Sequence, residues 1–376
     1  MKILYLAPLP IDLANLDGVP KKIIDQADSY VTFGLSIDII SYYNHNTILI
    51  DAEAKTTKIL GTGKSKFDVI RIATSLANSY DAFYVRYPKS DFLFLRFLKK
   101  VKANPLKKIV VEIPTFPYDN QGKKSIKGKC IEYLDKLYRT QLHKYVDRIV
   151  TFTGEQFIFG IKTINTINGF DFSKISPINK PIDVKKKVSL IAVSAMFALH
   201  GYDRLINGLA DYYKNGGERN IVIHLIGQGP SIDTYKRLVK ENDLEDNVIF
   251  HGKVFGQTLY DLYSGVAAGV NSLAIHRENL KKESTLKTKE YSAMGLPIVS
   301  SSYVDAFSIE GNKNFVFMVQ ADESYVKIDA LLSFIDRIYK DRSVAEVHNL
   351  IRKDAIGVCD IHVTTKPIFD YYVENK

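Results

Sequence analysis

The run Glu283-Ser284-Thr285-Leu286-Lys287-Thr288-Lys289-Glu290 gathers side chains suited to holding a nucleotide. Ser284 or Thr285 caps a predicted helix that ends near Gly295. A helix N-terminus presents N–H groups without intrahelical partners and a positive potential, which suit a diphosphate. Lys287 adds a full charge in the first turn, and Glu290 follows three residues on, along the same face. A carboxylate placed there accepts hydrogen bonds from two vicinal ribose hydroxyls. Anion site first and diol acceptor next is the order that holds a nucleoside diphosphate. The same spacing also makes an ordinary surface helix with a Lys287–Glu290 ion pair, and spacing alone does not separate the two.

Such a segment needs a scaffold. Strand-like and helix-like stretches alternate along the chain. Lys2–Ala7, Ser36–Tyr42, Ala82–Val85, Lys108–Glu112 and Arg148–Phe152 read as strands, and a turn at Asp17-Gly18 leads into a helical pattern through Phe33. Pro177, Pro181 and the Lys185–Lys187 run interrupt the alternation and read as a linker. Val188–Ser194, Asn220–Ile226, Asn247–His251, Val266–Leu273 and Pro297–Ser301 then read as strands, with helices over Gly201–Tyr213 and Thr285–Met294. The stretch from Asp322 to Tyr372 is mainly helical. This pattern predicts α/β architecture with two doubly wound, mostly parallel sheets. Ligands of such sheets bind beyond the carboxyl ends of the strands, in a cleft between two such units. Fold does not name a reaction, so the site has to supply it.

Composition bounds the function. The chain has 376 residues, 46% apolar and 25% charged, enough for two globular domains. Cys130 and Cys359 are its two cysteines, which argues against a disulfide scaffold or a cysteine zinc site and fits a reducing cytoplasm. Asp12 arrives too early for a signal-peptide core, and no apolar run approaches the ~20 residues that span a bilayer. The net charge is +9, with lysine clusters at Lys99, Lys100, Lys102, Lys107 and Lys108 and at Lys123, Lys124, Lys127 and Lys129. These read either as a soluble basic surface or as adhesion to an anionic membrane leaflet. Nucleic acid is not expected, because no nucleic-acid motif accompanies them.

The Ser284–Glu290 segment, followed by Gly295-Leu296-Pro297, resembles the signature of the retaining GT-B glycosyltransferases of family 4. There, two glutamates separated by seven residues precede a Gly-x-Pro. Glu290 matches the second, which by family role binds the donor ribose. The first falls on Lys282, with Glu283 one place away. The spelling Ser-x-Leu-Lys-x-Lys-Glu-Tyr after His276-Arg277 is similar to a branch found in bacterial polysaccharide assembly. Asn168-Gly169-Phe170-Asp171 resembles the turn that closes the family's first domain.

The resemblance implies two Rossmann-like domains facing each other across a cleft: an acceptor domain over 1–180, a donor domain over 181–358, and a final helix over 359–376 that crosses back. It implies donor contacts from Gly18, His200, Arg204, Gly252, Val254, Ser284, Thr285, Leu286, Lys287 and Glu290. In the family's phosphate loop an Arg and a Lys are replaced by Ala195 and His200. His200 at a helix start would donate to phosphate, and Arg204 one turn on would add charge. Gly227-Gln228-Gly229 is the glycine turn beside the nucleotide. Glu283, Glu112 and Asp119 are the carboxylates available for catalysis, and Arg86 is the candidate for acceptor phosphate.

The function so implied is metal-independent transfer of a sugar, with retention, from a nucleotide-sugar donor to a saccharide or lipid-linked saccharide acceptor. No cofactor is expected, and the nucleotide sugar is a substrate. The alternatives are a non-catalytic GT-B protein that stabilises another transferase, motivated by Lys282 and Ala195, and a sugar-nucleotide epimerase of the same fold.

Overall fold

The structure is a computed structural model that describes residues 1–16, 18–119, 125–177 and 179–374, and all of these but Lys127 with their side chains. Asp17, Lys123 and Lys124, named above, lie outside the described residues. The chain divides into two units, Met1–Gly169 with Ile361–Lys376, and Phe170–Asp360. The sequence placed these limits at 180 and 358.

The first unit runs β1 (Lys2–Pro10), α1 (Gly18–Thr32), β2 (Ser36–Tyr43), β3 (Asn46–Asp51), β4 (Thr56–Thr62), α2 (Lys66–Ser75), β5 (Ala82–Arg86), α3 (Phe92–Val101), β6 (Lys108–Glu112), α4 (Ile126–Arg139), β7 (Arg148–Thr151), β8 (Phe157–Ile158) and β9 (Ile161–Asn165). Among the described residues its sheet has the order β4-β3-β2-β1-β5-β6-β7-β9-β8. The strands from β2 through β9 in that order pair in parallel, while β3, β4 and β8 join antiparallel. Alternation on β1 explains the layering. Leu4 and Leu6 pack into one core with Phe94 and Phe97, whereas Ile3 and Tyr5 pack into the other with Ile23.

The second unit runs β10 (Lys187–Val193), α5 (Tyr202–Lys214), β11 (Asn220–Ile226), α6 (Ile232–Glu241), β12 (Val248–Gly252), α7 (Gly256–Tyr263), β13 (Ala268–Val270), α8 (Leu286–Ala293), β14 (Ile298–Ser300), α9 (Ile309–Phe315), β15 (Val316–Met318), α10 (Ile328–Tyr339) and α11 (Val344–Cys359). Its described strands are all parallel, in the order β12-β11-β10-β13-β14-β15. The last helix, α12 (Ile361–Val373), packs on α1 in the first unit and adds Ile368 and Tyr372 to its core.

Two local expectations change. Periodicity did not predict β3, β4, β8, β9 or β15, and the first two of these form a meander with β2. Its first turn is two residues, Asn44 and His45, both with positive φ (48° and 63°), the backbone that a two-residue hairpin turn demands. The expected strand Val266–Leu273 ends at Val270, so Asn271, Ser272 and Leu273 become loop. That loop forms the floor of the site below.

Candidate functional site

In the second unit the loops after β10, β11, β12 and β13 are tied together by backbone hydrogen bonds. Ser194 N–H donates to the Ile226 carbonyl (2.9 Å), and Gly227 N–H to that of Gly252 (2.7 Å). Leu273 and Ala274 N–H donate to the carbonyls of His200 (2.9 Å) and Leu199 (3.0 Å). Glycine is required at two of these approaches. A Cβ on Gly227 would stand 1.8 Å from the Ser194 carbonyl oxygen, at a φ of +124°. One on Gly201 would stand 2.7 Å from Ala274 Cβ, at a φ of +62°.

Lys287, in the first turn of α8, donates to Ser272 Oγ at 3.2 Å. Ser272 Oγ donates in turn to Glu283 Oε2 at 3.0 Å, and Asn271 Nδ2 donates to Glu283 Oε1 at 2.7 Å. The carboxylate one place off the family's position is therefore the one brought to the α8 start, while Lys282 is exposed. Loss of water pushes the Lys287 ammonium down to about 8, with Glu283 opposing the shift. His200 is held beside it. Phe197 N–H donates to its Nδ1 at 2.9 Å, while the Phe197 carbonyl lies 3.2 Å from the same nitrogen; the shorter bond assigns the proton to Nε2. Burial first and the Lys287 charge second push the ring down to about 3. The expected His200 contact is thus with a neutral N–H donor rather than an imidazolium.

Thr285 occupies the N-cap position of α8, but its hydroxyl turns to Asn271 Oδ1 and Thr288 Oγ1, both at 3.3 Å, and does not cap the backbone. Leu286 opens the helix. Ser284 Oγ accepts from Lys289 Nζ at 3.1 Å, and Lys289, fully buried, is ion-paired with Asp305. Lys289 thus forms an ion pair outside the segment, whereas Lys287 turns to Ser272. Glu290 is half-buried next to Tyr263 of α7, whose hydroxyl is pushed up by burial and then by the Glu290 charge. Gly252 ends β12 at a φ of +68°, and Val254 follows, half-buried. A hollow of about 820 Å³ lined by Ile182, Lys185, Arg337 and Arg342 lies at the start of β10, at the opposite strand ends, and contains none of these residues.

Arg204 is a correction. It is 1% exposed and its guanidinium donates to the carbonyls of Ser324 (2.7 Å), Gln320 (2.9 Å) and Leu273. Its donors are spent on stitching α5 to two loops, so it is a positioning residue and not a phosphate ligand. Arg277, from the His-Arg pair, forks onto Asp203 (3.0 and 2.7 Å) and Glu323, pinning the same loop from outside.

The first unit revises three further expectations. Glu112 has no exposed surface. It accepts from Lys22 Nζ (3.0 Å), Gln26 Nε2 (3.0 Å), Tyr84 Oη (2.7 Å) and Arg86 Nη1. Burial alone would raise its pKa, but Lys22 and Arg86 hold it at about 2. A carboxylate so engaged is no general base, and Arg86 is its counter-ion. Asp119 takes a two-pronged bond from Arg139 (2.7 and 2.8 Å). Gly18 opens α1 at a φ of +46°, and a Cβ there would meet no heavy atom within 4 Å, so the space beside it is open. Sequence reasoning missed Lys22. Its signal was a polar stripe on α1, Lys22, Asp25, Gln26 and Ser29, at helical spacing and buried. Among the described residues no group of three His, Cys, Asp or Glu side chains is arranged to hold a metal ion.

The chain is similar to several known proteins. Residues 187–337 match the family described as Glycosyl transferases group 1. Protein CapJ of Staphylococcus aureus is 24% identical over 292 residues, which span 71% of this chain and 68% of that protein. HepE of Anabaena, solved in complex with UDP, aligns over 100% of both chains with a TM-score of 0.63 at 14% identity. Sucrose-phosphate synthase of Thermosynechococcus elongatus aligns over 100% of both, with a TM-score of 0.66 at 12% identity. The fold is GT-B, and the residues that match the glycosyl transferase group 1 family lie within the second unit. Together these findings support a GT-B glycosyltransferase.

Proposed function

We propose that this chain moves a sugar from a nucleotide-sugar donor to a lipid-linked saccharide acceptor, at the cytoplasmic face of a membrane, in assembly of a cell-surface polysaccharide. The observation that carries the donor half is the Lys287–Ser272–Glu283 chain beside His200 at the start of α8. Lys287 and the first N–H groups of α8 take the diphosphate, with Nε2–H of His200 as a neutral donor. Glu290 takes the ribose hydroxyls, Glu283 the transferred sugar, and Gly252 and Val254 flank the base. The charge of the departing diphosphate is met by these groups, and the proposal needs no metal or cofactor.

With Glu112 and Asp119 committed to cations, the proposed chemistry uses no protein base. The acceptor hydroxyl attacks the anomeric carbon on the face that the diphosphate leaves. The bond from that carbon to the diphosphate oxygen breaks, and the hydroxyl proton passes to the departing phosphate. The anomeric configuration is retained. Product NMR showing the inverted anomer overturns this step.

The donor site is tested by titrating UDP into the wild type, Lys287→Ala and Glu290→Ala. Loss of a charge-assisted hydrogen bond weakens binding by about tenfold or more in each, with the circular dichroism unchanged. Because Lys287 loses its proton near pH 8, wild-type affinity falls as pH rises from 7 to 9, and Lys287→Ala lacks that slope. Equal affinity in all three proteins refutes the assignment. The commitment of both first-unit carboxylates also suits a second reading, a non-catalytic stabiliser of another transferase. Absence of a thermal shift with every nucleoside diphosphate favours that reading.

A further inference from the structure

Helix α4 is built inside out. Its inward residues are polar. Asp135 is fully buried and accepts from Tyr87 Oη (2.5 Å), Ser90 N–H (2.5 Å) and Tyr118 Oη (2.7 Å), while Arg139 forks onto Asp119. Glu132 is on the same side, with 14% of its side chain exposed. The outward residues are apolar. Ile126 is 84% exposed, Tyr133 70%, Leu137 54% and Leu134 42%, and Cys130 is exposed among them. Positions 126, 130, 133, 134 and 137 recur at the period of one helical face, so this is a continuous stripe and not scattered residues. Lys129 and Lys136, both exposed, border the stripe on one side, with Lys136 Nζ 3.5 Å from Glu132 Oε1 and half of its side chain still open to solvent. Both acidic residues of the helix face inward.

We infer that this outward face of α4 seats the first unit on an anionic bilayer. An apolar stripe bordered by lysines is the pattern of a helix lying in the plane of the membrane interface. Such a helix buries its apolar side chains below the headgroups and leaves the ammonium groups at the level of the lipid phosphates. A second copy of the chain packed antiparallel on this face would bring the two lysine edges together, whereas an anionic headgroup layer complements them. Nor does the helix need its stripe for folding, since the polar face already anchors it. Among the described residues no helix is long and apolar enough to cross a membrane, so contact through this face is peripheral.

The location bears on function. Tyr87 and Ser90 follow β5, and Tyr118 and Asp119 follow β6, so α4 sits on the carboxyl edge of the first sheet, where Arg86 and Glu112 end their strands. A saccharide carried on a lipid would reach the protein at that edge. This link rests on the acceptor proposed above, whereas the membrane contact itself does not.

Two measurements test the contact. Cys359 is buried, so an environment-sensitive fluorophore attaches at Cys130, within the stripe. With vesicles of phosphatidylcholine containing phosphatidylglycerol, its emission shifts to the blue. Leu134→Ser with Leu137→Ser, both at exposed positions, weakens co-sedimentation with those vesicles by about tenfold. Lys129→Glu weakens it further on anionic vesicles than on pure phosphatidylcholine. Vesicle binding unaltered by the double substitution, or an emission that stays aqueous, overturns the inference. Loss of a dimer in the double variant, without loss of vesicle binding, overturns it too and identifies α4 as a self-association face. UDP binding, measured in the same samples, reports separately on the donor site.

Discussion

A carboxylate with no exposed surface persists at Glu112 because four donors surround it, two of them cationic. Removing an ion from water is costly, and only well-aligned partners offset that cost. Here the attraction exceeds the burial penalty, since the pKa lies at about 2 against an ordinary 4.5. The sign follows from proton counting. As pH falls from about 5 to 2 the unfolded chain takes up the proton first, so this group's stabilisation is full above the unfolded value and is lost toward pH 2. Glu112→Gln keeps the shape and leaves Lys22 and Arg86 without their counter-charge. It should cost roughly 3 kcal/mol, read by urea unfolding. A variant as stable as the wild type but inactive would instead make Glu112 a catalytic residue.

At the scale of elements, the proposed donor site depends on how the loop before α5 is pinned to the loop after β13. The pins are two backbone hydrogen bonds, the close approach at Gly201, and the Arg204 and Arg277 stitches. Gly201→Ala adds a Cβ where Ala274 already stands, in a backbone conformation that disfavours it. The expected result is a loss of roughly 2 kcal/mol or more of stability in the second unit and about tenfold weaker UDP binding. The same change at Gly18, where a Cβ meets nothing, strains the backbone without a clash and should leave UDP affinity within about threefold. Calorimetric titration of the two variants distinguishes a loop-pinning role from a general effect of glycine loss.

At the scale of the molecule, the two units differ in how the chain makes them. Phe170–Asp360 is continuous, whereas the first unit needs α12 to complete the core around Tyr5, Ile23 and Tyr84. Ending the chain at Asp360 removes Ile368 and Tyr372 from that core and takes away the Tyr372 hydroxyl that donates to the Phe83 carbonyl at 2.9 Å. The fragment 170–360 should therefore fold by itself, with a cooperative thermal transition and a UDP-dependent shift. The chain ending at Asp360 should lose the first unit's transition and keep the second's. Differential scanning calorimetry decides this by the number of transitions.

Sequence periodicity by itself determined the α/β class and ten of the fifteen described strands, because runs such as Lys108–Glu112 and Asn220–Ile226 have few other ways to be satisfied. It also determined where α8 starts and that Lys287 lies in its first turn, although the Thr285 hydroxyl expected to cap that turn goes to Asn271 instead. What it left open were contacts between residues far apart in the chain. Glu112 reads as a carboxylate available for catalysis until Lys22 arrives from α1, and Arg204 reads as a phosphate ligand until three carbonyls from distant loops surround it. The stripe on α4 was invisible as a surface for the same reason. Apolar residues at helical spacing ordinarily point into a core, and only the polar network under Asp135 turned this helix over. Local patterns follow from covalent geometry and solvent preference, whereas the fate of a charge or an apolar face depends on which partners the tertiary structure brings to it.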